Sequence, residues 1–323
     1  INTSFRHKPN DVQNAMSQKS PFCQTTSIHL VLWMLLFCLH AVAANAQTLD
    51  TLPPPIPKPI SELSEKAPPP EELREVKSEI SQAIDNIVAE LEVKYPLQIA
   101  YKSGDIPTLT WGYVTYETAS KDEAKALLQY LQLFATTFQQ YPPKFVAATN
   151  LQTVAIVKKL AVDGQFRAAV PDWGTETLLL DFFRGASTPP YQEHVIHHEY
   201  YHLIEEEQQG TAYWKDPKWL RINKKSTEYG EGGASAQGNT NAYYLTNPSK
   251  GYLNLYSISA LEEDKAEVYA TLFVATERAK LMEWRKTDRT LRRKARYMQR
   301  SVRKIYYHRK EKEWKEVVRK RQV

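Results

Sequence analysis

The sequence predicts an α+β domain, and three observations carry that expectation. Helix-periodic stretches come first, residues 144–182 then switch to β-branched runs broken by turn residues, and Tyr191–Glu207 follows with helical spacing of histidine and glutamate. A small, mainly antiparallel sheet, one helix that carries chemistry and a basic helical extension at the C-terminus make up the expected architecture.

Taken in order, the chain of 323 residues is 42% hydrophobic and 24% charged, which suits one sizeable domain with appendages. The apolar run Leu30–Ala43 is too short to span a bilayer comfortably and ends on Ala44-Asn45-Ala46, the small-x-small close of a secretory signal. Residues 1–46 are therefore expected to be a signal region cleaved after Ala46, with Met16 as its natural start. Both cysteines, Cys23 and Cys38, lie inside it, so the mature chain is expected to be thiol-free, with neither disulfides nor cysteine metal ligands. Leu35-Leu36-Phe37 precede Cys38 where a lipoprotein signal needs a small residue. The expectation is export to the periplasm or beyond, without a lipid anchor and without a transmembrane helix in the mature chain.

Residues 47–70 are proline-rich (TLPPPIPKPI, then KAPPP) and read as an extended tether. The folded domain is expected over 71–277. Leu73, Val76, Ile80, Ile84, Ile87 and Leu91 recur at steps of three and four and predict a helix over Glu71–Lys94. Tyr95–Lys102 reads as a short strand. A second helix is expected over Lys121–Gln140, capped by Ser120 or Asp122. Phe145–Ala148, Thr153–Val162, Phe166–Val170 and Thr177–Phe182 read as strands, with Asp163-Gly164 as a hairpin turn. Residues 210–250 are turn-rich and aromatic, an excursion that frames a cleft, with Trp214 and Trp219 packing it down.

The chemistry centres on His198-Glu199-Tyr200-Tyr201-His202, an H-E-x-x-H segment. Histidines four residues apart share one helix face, so both imidazoles can reach one Zn²⁺ at roughly 2.0–2.1 Å. Glu199 projects beside the metal, where it can take a proton from a bound water. His194 lies too far along the axis from His202 for both to bind one ion and is expected to be structural, supporting or exposed. Downstream, Glu262-Glu263-Asp264-Lys265-Ala266-Glu267 opens an apolar helix. Glu263 can complete a His₂Glu site with one position left for water, and Glu267, one turn on, can hold a ligand histidine through its other ring nitrogen.

H-E-x-x-H followed by E-x-x-A-E resembles the lethal-factor branch of the gluzincin metalloproteases, the catalytic domain of anthrax lethal factor among them. GYLNLYSISALEEDKAE is more closely similar to the segment G-[FY]-…-Y-[AS]-x-[ST]-…-E-D-x-A-E of the zinc-binding metallopeptidase family, many of whose members are secreted bacterial proteins, often lipoproteins tied to nutrient import. The likeness covers roughly residues 80–290. It implies a zincin-like domain and one zinc held by His198, His202 and Glu263. It further implies Glu199 as general base and proton shuttle, Glu267 as the carboxylate behind a ligand histidine, and Tyr256 as a donor to the developing oxyanion. The implied activity is hydrolysis of peptide bonds in a peptide or protein substrate.

From Arg278 to Val323 the sequence holds 19 Lys and Arg against 5 Asp and Glu, a net of +14 within a chain whose total is +5. This basic tail, residues 278–323, is expected to be helical and suits an anionic envelope surface or acidic partner; nucleic acid is not expected for an exported chain. Two rivals share these features. One is a catalytically weak relative that uses the same fold and metal to bind peptides or glycans. The other is an envelope interaction protein organised by tether and basic arm.

Overall fold

The computed structural model describes residues 70–211, 213–223, 228–236 and 239–320. The expected signal region and all of the tether except Pro70 lie outside the described residues. The α+β class is what the structure shows: a sheet of six short strands with helices before and after it.

Strand β3 (Thr153–Val162) forms the middle of the sheet. It runs parallel to β1 (Gln98–Ala100) on one side and to β6 (Thr177–Asp181) on the other, with Val154 opposite Leu178. Beyond β6 lies β5 (Ala169–Asp172), antiparallel and at the edge, with Val170 opposite Leu179. The far half of β3 takes β2 (Val114–Glu117) and β4 (Gln165–Phe166), both antiparallel. Three of the five ladders among the described residues are thus antiparallel, while the centre is parallel. Two reversals produce that centre: the chain turns back after β3 and again after β5, so β6 returns in the direction of β3. The first reversal is the expected hairpin, with Asp163 at φ 49° and Gly164 at φ 74°, the left-handed pair that a two-residue hairpin requires.

Alternation along the strands feeds two apolar layers. Val154, Ile156, Leu178 and Leu180 join the main core beneath the helices. Ala155, Val157, Leu179 and Val170 form a smaller layer on the other face, roofed by Ile106, Leu109 and Trp111.

Helix α1 (Pro70–Lys94) buries Ile84 and Leu91, while Val76 stays half-exposed. Helix α2 (Ala124–Phe138) follows a 3₁₀ turn at whose start Ser120 N donates to Glu123 Oε2 at 2.7 Å. Helices α3 (Pro189–Gln209), α4 (Leu261–Phe273), α5 (Ala275–Thr287) and α6 (Arg289–Lys320) complete the set, and α3 packs along α4. Leu281, Leu291, Ala295 and Met298 are fully buried in the main core, so these four apolar positions of the basic C-terminal segment pack into the domain itself. No helix among the described residues is long and apolar enough to cross a membrane.

Several local expectations are corrected. Phe145–Ala148 does not form a strand; Pro143–Val146 is a helical turn with Pro143 at its first position. Proline there loses no helical hydrogen bond and its φ is already helical, which outweighs a short apolar run. The strand expected over Tyr95–Lys102 contracts to three residues. The run Phe166–Val170 divides into β4 and β5 on either side of Arg167 and Ala168, and β5 continues through Pro171, which an edge strand tolerates. Strand β2 went unforeseen because its residues are only partly covered.

Candidate metal centre

Helix α3 is fixed before its chemistry begins. Pro189 and Pro190 start it, and Gly210 ends it in the left-handed region at φ 75°, its N–H donating to Glu206 O at 2.6 Å. Ile196, Tyr200, Leu203 and Ile204 are buried along its inner side. His198 and His202 stand one turn apart with their Nε2 atoms 3.3 Å from each other. Helix α4 brings Glu263 from its first turn, with Oε2 at 2.9 Å from His198 Nε2 and 3.5 Å from His202 Nε2.

Those three separations test whether a metal fits. A point equidistant from the three atoms lies about 1.9 Å from each, so an ion slightly above their plane sits at the roughly 2.0–2.1 Å that zinc prefers. Two imidazoles and one carboxylate, all largely buried, match the donor set of a zinc site with one open position. No donor other than those two histidines reaches Glu263 among the described residues.

A second group overlaps the first through His198. Glu267 Oε1 lies 3.0 Å from His198 Nδ1, off the hydrogen-bond direction, and 3.1 Å from His194 Nε2. Its other oxygen accepts from Asn254 Nδ2 at 2.6 Å, and His194 Nδ1 in turn meets Glu277 Oε2 at 2.6 Å. His194, His198 and Glu267 also converge closely enough for an ion. Yet Glu267 and His194 already have protein partners on both sides, whereas Glu263 has only the histidines. The first group is therefore the better metal site, with Glu267 behind His198. His197, between the two, faces elsewhere: it is fully buried, its Nδ1 is 2.6 Å from the Tyr141 hydroxyl, and burial pushes its pKa down to about 3.

Electrostatics follow from this packing. Burial alone would lower the pKa of His198, but Glu263 and Glu267 outweigh it and raise it to about 10. His202 is also raised: burial opposes, and Glu263 prevails. Burial would raise Glu263, but the two histidines hold it down at about 2. Without metal, the site thus keeps protons where a divalent cation would put its charge. Burial raises the pKa of the Glu199 carboxyl, with His198 and His202 opposing.

Glu199, His202, Glu263 and Tyr256 line a cavity of about 440 Å³ bordered by edge strand β5. Tyr256 is buried, its ring 5.7 Å from that of His198. Burial, then Glu263 and Glu199, push its pKa well above the usual value, so it keeps its proton. All the site residues expected from the sequence, Glu267 included, gather around this one stretch of α3.

The sequence reading missed Gly233. A Cβ there would stand 2.2 Å from Glu263 Oε1 and 2.6 Å from the Tyr256 hydroxyl, so only glycine admits both oxygens. The run Tyr229–Gly233 carried the signal, but a glycine cluster alone does not separate a close approach from a loose loop. Trp219 anchors the excursion as expected: it is fully buried and its Nε1 donates to Asp264 Oδ2 at 2.8 Å. Trp111, Trp173 and Tyr213 form an unforeseen aromatic wall, with ring centroids 5.1 and 5.7 Å apart in succession.

No family model matches the chain, and no curated protein does. Among solved structures it is similar to a candidate zinc-binding metallo-peptidase from Bacteroides caccae, at 14% identity and a TM-score of 0.43, over 72% of this chain and 92% of that one. At that level the likeness carries no argument about activity.

Proposed function

We propose that this chain is a zinc-dependent peptidase. The observation that carries the reading is the convergence of His198 Nε2, His202 Nε2 and Glu263 Oε2 at zinc-ligand spacing, with Glu199 on the wall of the adjoining cavity. Zinc held by His198, His202 and Glu263 would supply Lewis acidity towards a water and the scissile carbonyl. Glu199, its carboxyl pushed up by burial, accepts the proton of the attacking water and returns it to the leaving amine. The Tyr256 hydroxyl remains protonated and donates to the carbonyl oxygen as charge develops there. Glu267 places its charge 3.0 Å from His198 Nδ1, on the side of the ring away from Glu263, which favours a proton on Nδ1 and leaves the Nε2 lone pair for the metal. Strand β5, last in the sheet order, borders the cavity through Ala169, Val170 and Pro171, where an extended peptide would run past it.

The sequence features outside the described residues support export, and the excess of Lys and Arg over residues 278–323 supports an anionic surface as partner. The decisive experiment pairs metal analysis with turnover. His198→Ala should lose stoichiometric zinc, while Glu199→Gln should retain zinc and lose hydrolysis of a peptide library. Full zinc in the first variant, or unchanged hydrolysis in the second, overturns the reading. A Glu199→Gln protein that binds peptides as the wild type does, beside a wild type that never cleaves them, favours the binding-protein rival.

A further inference from the structure

Arg167 lies in the link between β4 and β5, its backbone N–H donating to Leu160 O at 2.8 Å. Its side chain borders the 440 Å³ cavity and also a second one of about 550 Å³; Glu199 and Tyr256 line both. Arg167 therefore stands where the two cavities meet, beside the metal ligands. Glu199, Glu231, Glu262 and Glu263 border the first cavity with it, yet none pairs with it, and Nη1 is buried without a hydrogen-bond partner among the described residues.

That is a costly arrangement for a guanidinium. A buried donor left unpaired forfeits its hydration. Its planar fork of donors matches a carboxylate, which can accept two parallel hydrogen bonds. The remaining arginine in the second cavity, Arg184, has no place in the first, so among the described arginines only Arg167 lines both.

We propose that Arg167 is a specificity-determining residue that receives a carboxylate of the peptide substrate next to the metal ligands. The inference rests on the peptidase reading for its ligand class but not on turnover. Two sources share this chemistry: the C-terminal carboxylate of the peptide and an acidic side chain within it. Glu199 supplies the competing explanation, since it borders both cavities with Arg167 and an arginine there could act through it. An arginine acting only through Glu199 would treat all peptides alike.

The test is a binding titration of the full-length Glu199→Gln protein, followed by the fluorescence of Trp111 and Trp173 on the cavity wall. Three acetylated Gly/Ala hexapeptides serve as probes: one with a free C-terminus, one amidated, and one amidated with a central Ala replaced by Glu. One of the two carboxylate-bearing peptides should bind about 10- to 100-fold more tightly than the neutral amide, and the preferred one identifies the source. Adding Arg167→Gln should erase that preference and leave the Kd of the amide unchanged. Arg167→Lys, which keeps the charge without the fork, should retain part of it. No preference for a carboxylate, no binding of any probe, or an equal loss for all three in Arg167→Gln overturns the proposal. A carboxylate preference in a protein without zinc or turnover would sink the peptidase reading alone; hydrolysis without the preference would sink this one alone.

Discussion

Gly233→Ala is the sharpest perturbation of the site that replaces none of its reacting groups. The added methyl carbon would lie 2.2 Å from Glu263 Oε1, 2.6 Å from the Tyr256 hydroxyl and 2.9 Å from Glu263 Cδ. Non-bonded carbon and oxygen do not settle below about 3 Å, so the carboxylate has to retreat by roughly 1 Å. Metal–ligand bonds tolerate about 0.2 Å. The short helical turn that begins at Gly233 cannot easily move away instead. Gly230 N donates to Ile258 O at 3.0 Å and Gly232 N to Ser259 O at 2.9 Å, which ties this backbone to the turn that carries Tyr256. Glu263 is therefore the group that yields. Disturbing even a residue behind a ligand typically costs 10–100-fold in metal affinity, so a drop of at least tenfold is expected, with a parallel loss of hydrolysis. Competition with a chromophoric chelator measures the affinity. Gly104→Ala, where a Cβ meets nothing within 4 Å, is the control. Wild-type zinc affinity and turnover in Gly233→Ala would refute the reasoning, because they would mean that the turn swings out at no cost.

Three further outcomes are expected. Tyr256→Phe should keep zinc and fold while kcat falls about 10²–10³-fold with little change in KM; an unchanged kcat returns Tyr256 to a packing role. Zinc binding near pH 7 should release protons from His198 and His202, which calorimetry in buffers of different ionisation enthalpy reads directly. Because the His198 pKa is raised to about 10 in the folded state, its contribution to the stability of the metal-free protein is full below about pH 6.5 and lost as pH rises through 10. Metal-free Tm should accordingly fall over that window and zinc should flatten the dependence; proton-free binding would contradict this. Finally, Lys294 is fully buried, with Nζ 2.6 Å from Asp264 Oδ2 and 2.7 Å from Gly251 O. Lys294→Met should leave Asp264 uncompensated and destabilise the protein by about 3–5 kcal/mol, with partial recovery in the double variant Asp264→Asn/Lys294→Met. Thermal unfolding checks both, and a near-neutral single variant would show that the Tyr229 and Trp219 donors suffice for Asp264.

What the sequence made legible was whatever a local period encodes. The i, i+4 spacing of His198 and His202 and of Glu263 and Glu267 fixed two helix faces before any contact was known, and Asp163-Gly164 fixed one turn. What it hid was convergence between segments distant along the chain. His194 shows this well: read along one helix it lies too far from His202 to share an ion, yet it meets Glu267 from α4 and Glu277 from α5. Arg167 shows it again, as one of 42 basic residues in the chain and unremarkable until its link between two strands sets it beside Glu199. The basic C-terminal segment gives the same lesson for packing. Its charge density reads as a solvated tail, but Leu291, Ala295 and Met298 lie on one side of α6 and are buried, and Lys294 is drawn in with them by Asp264. Asp264 follows Glu263 in sequence, so the ion pair that seats α6 grips the same first turn of α4 that presents Glu263 to His198 and His202. The buried contact that holds α6 is thus made by the residue next to Glu263, on a turn whose other side faces His198 and His202.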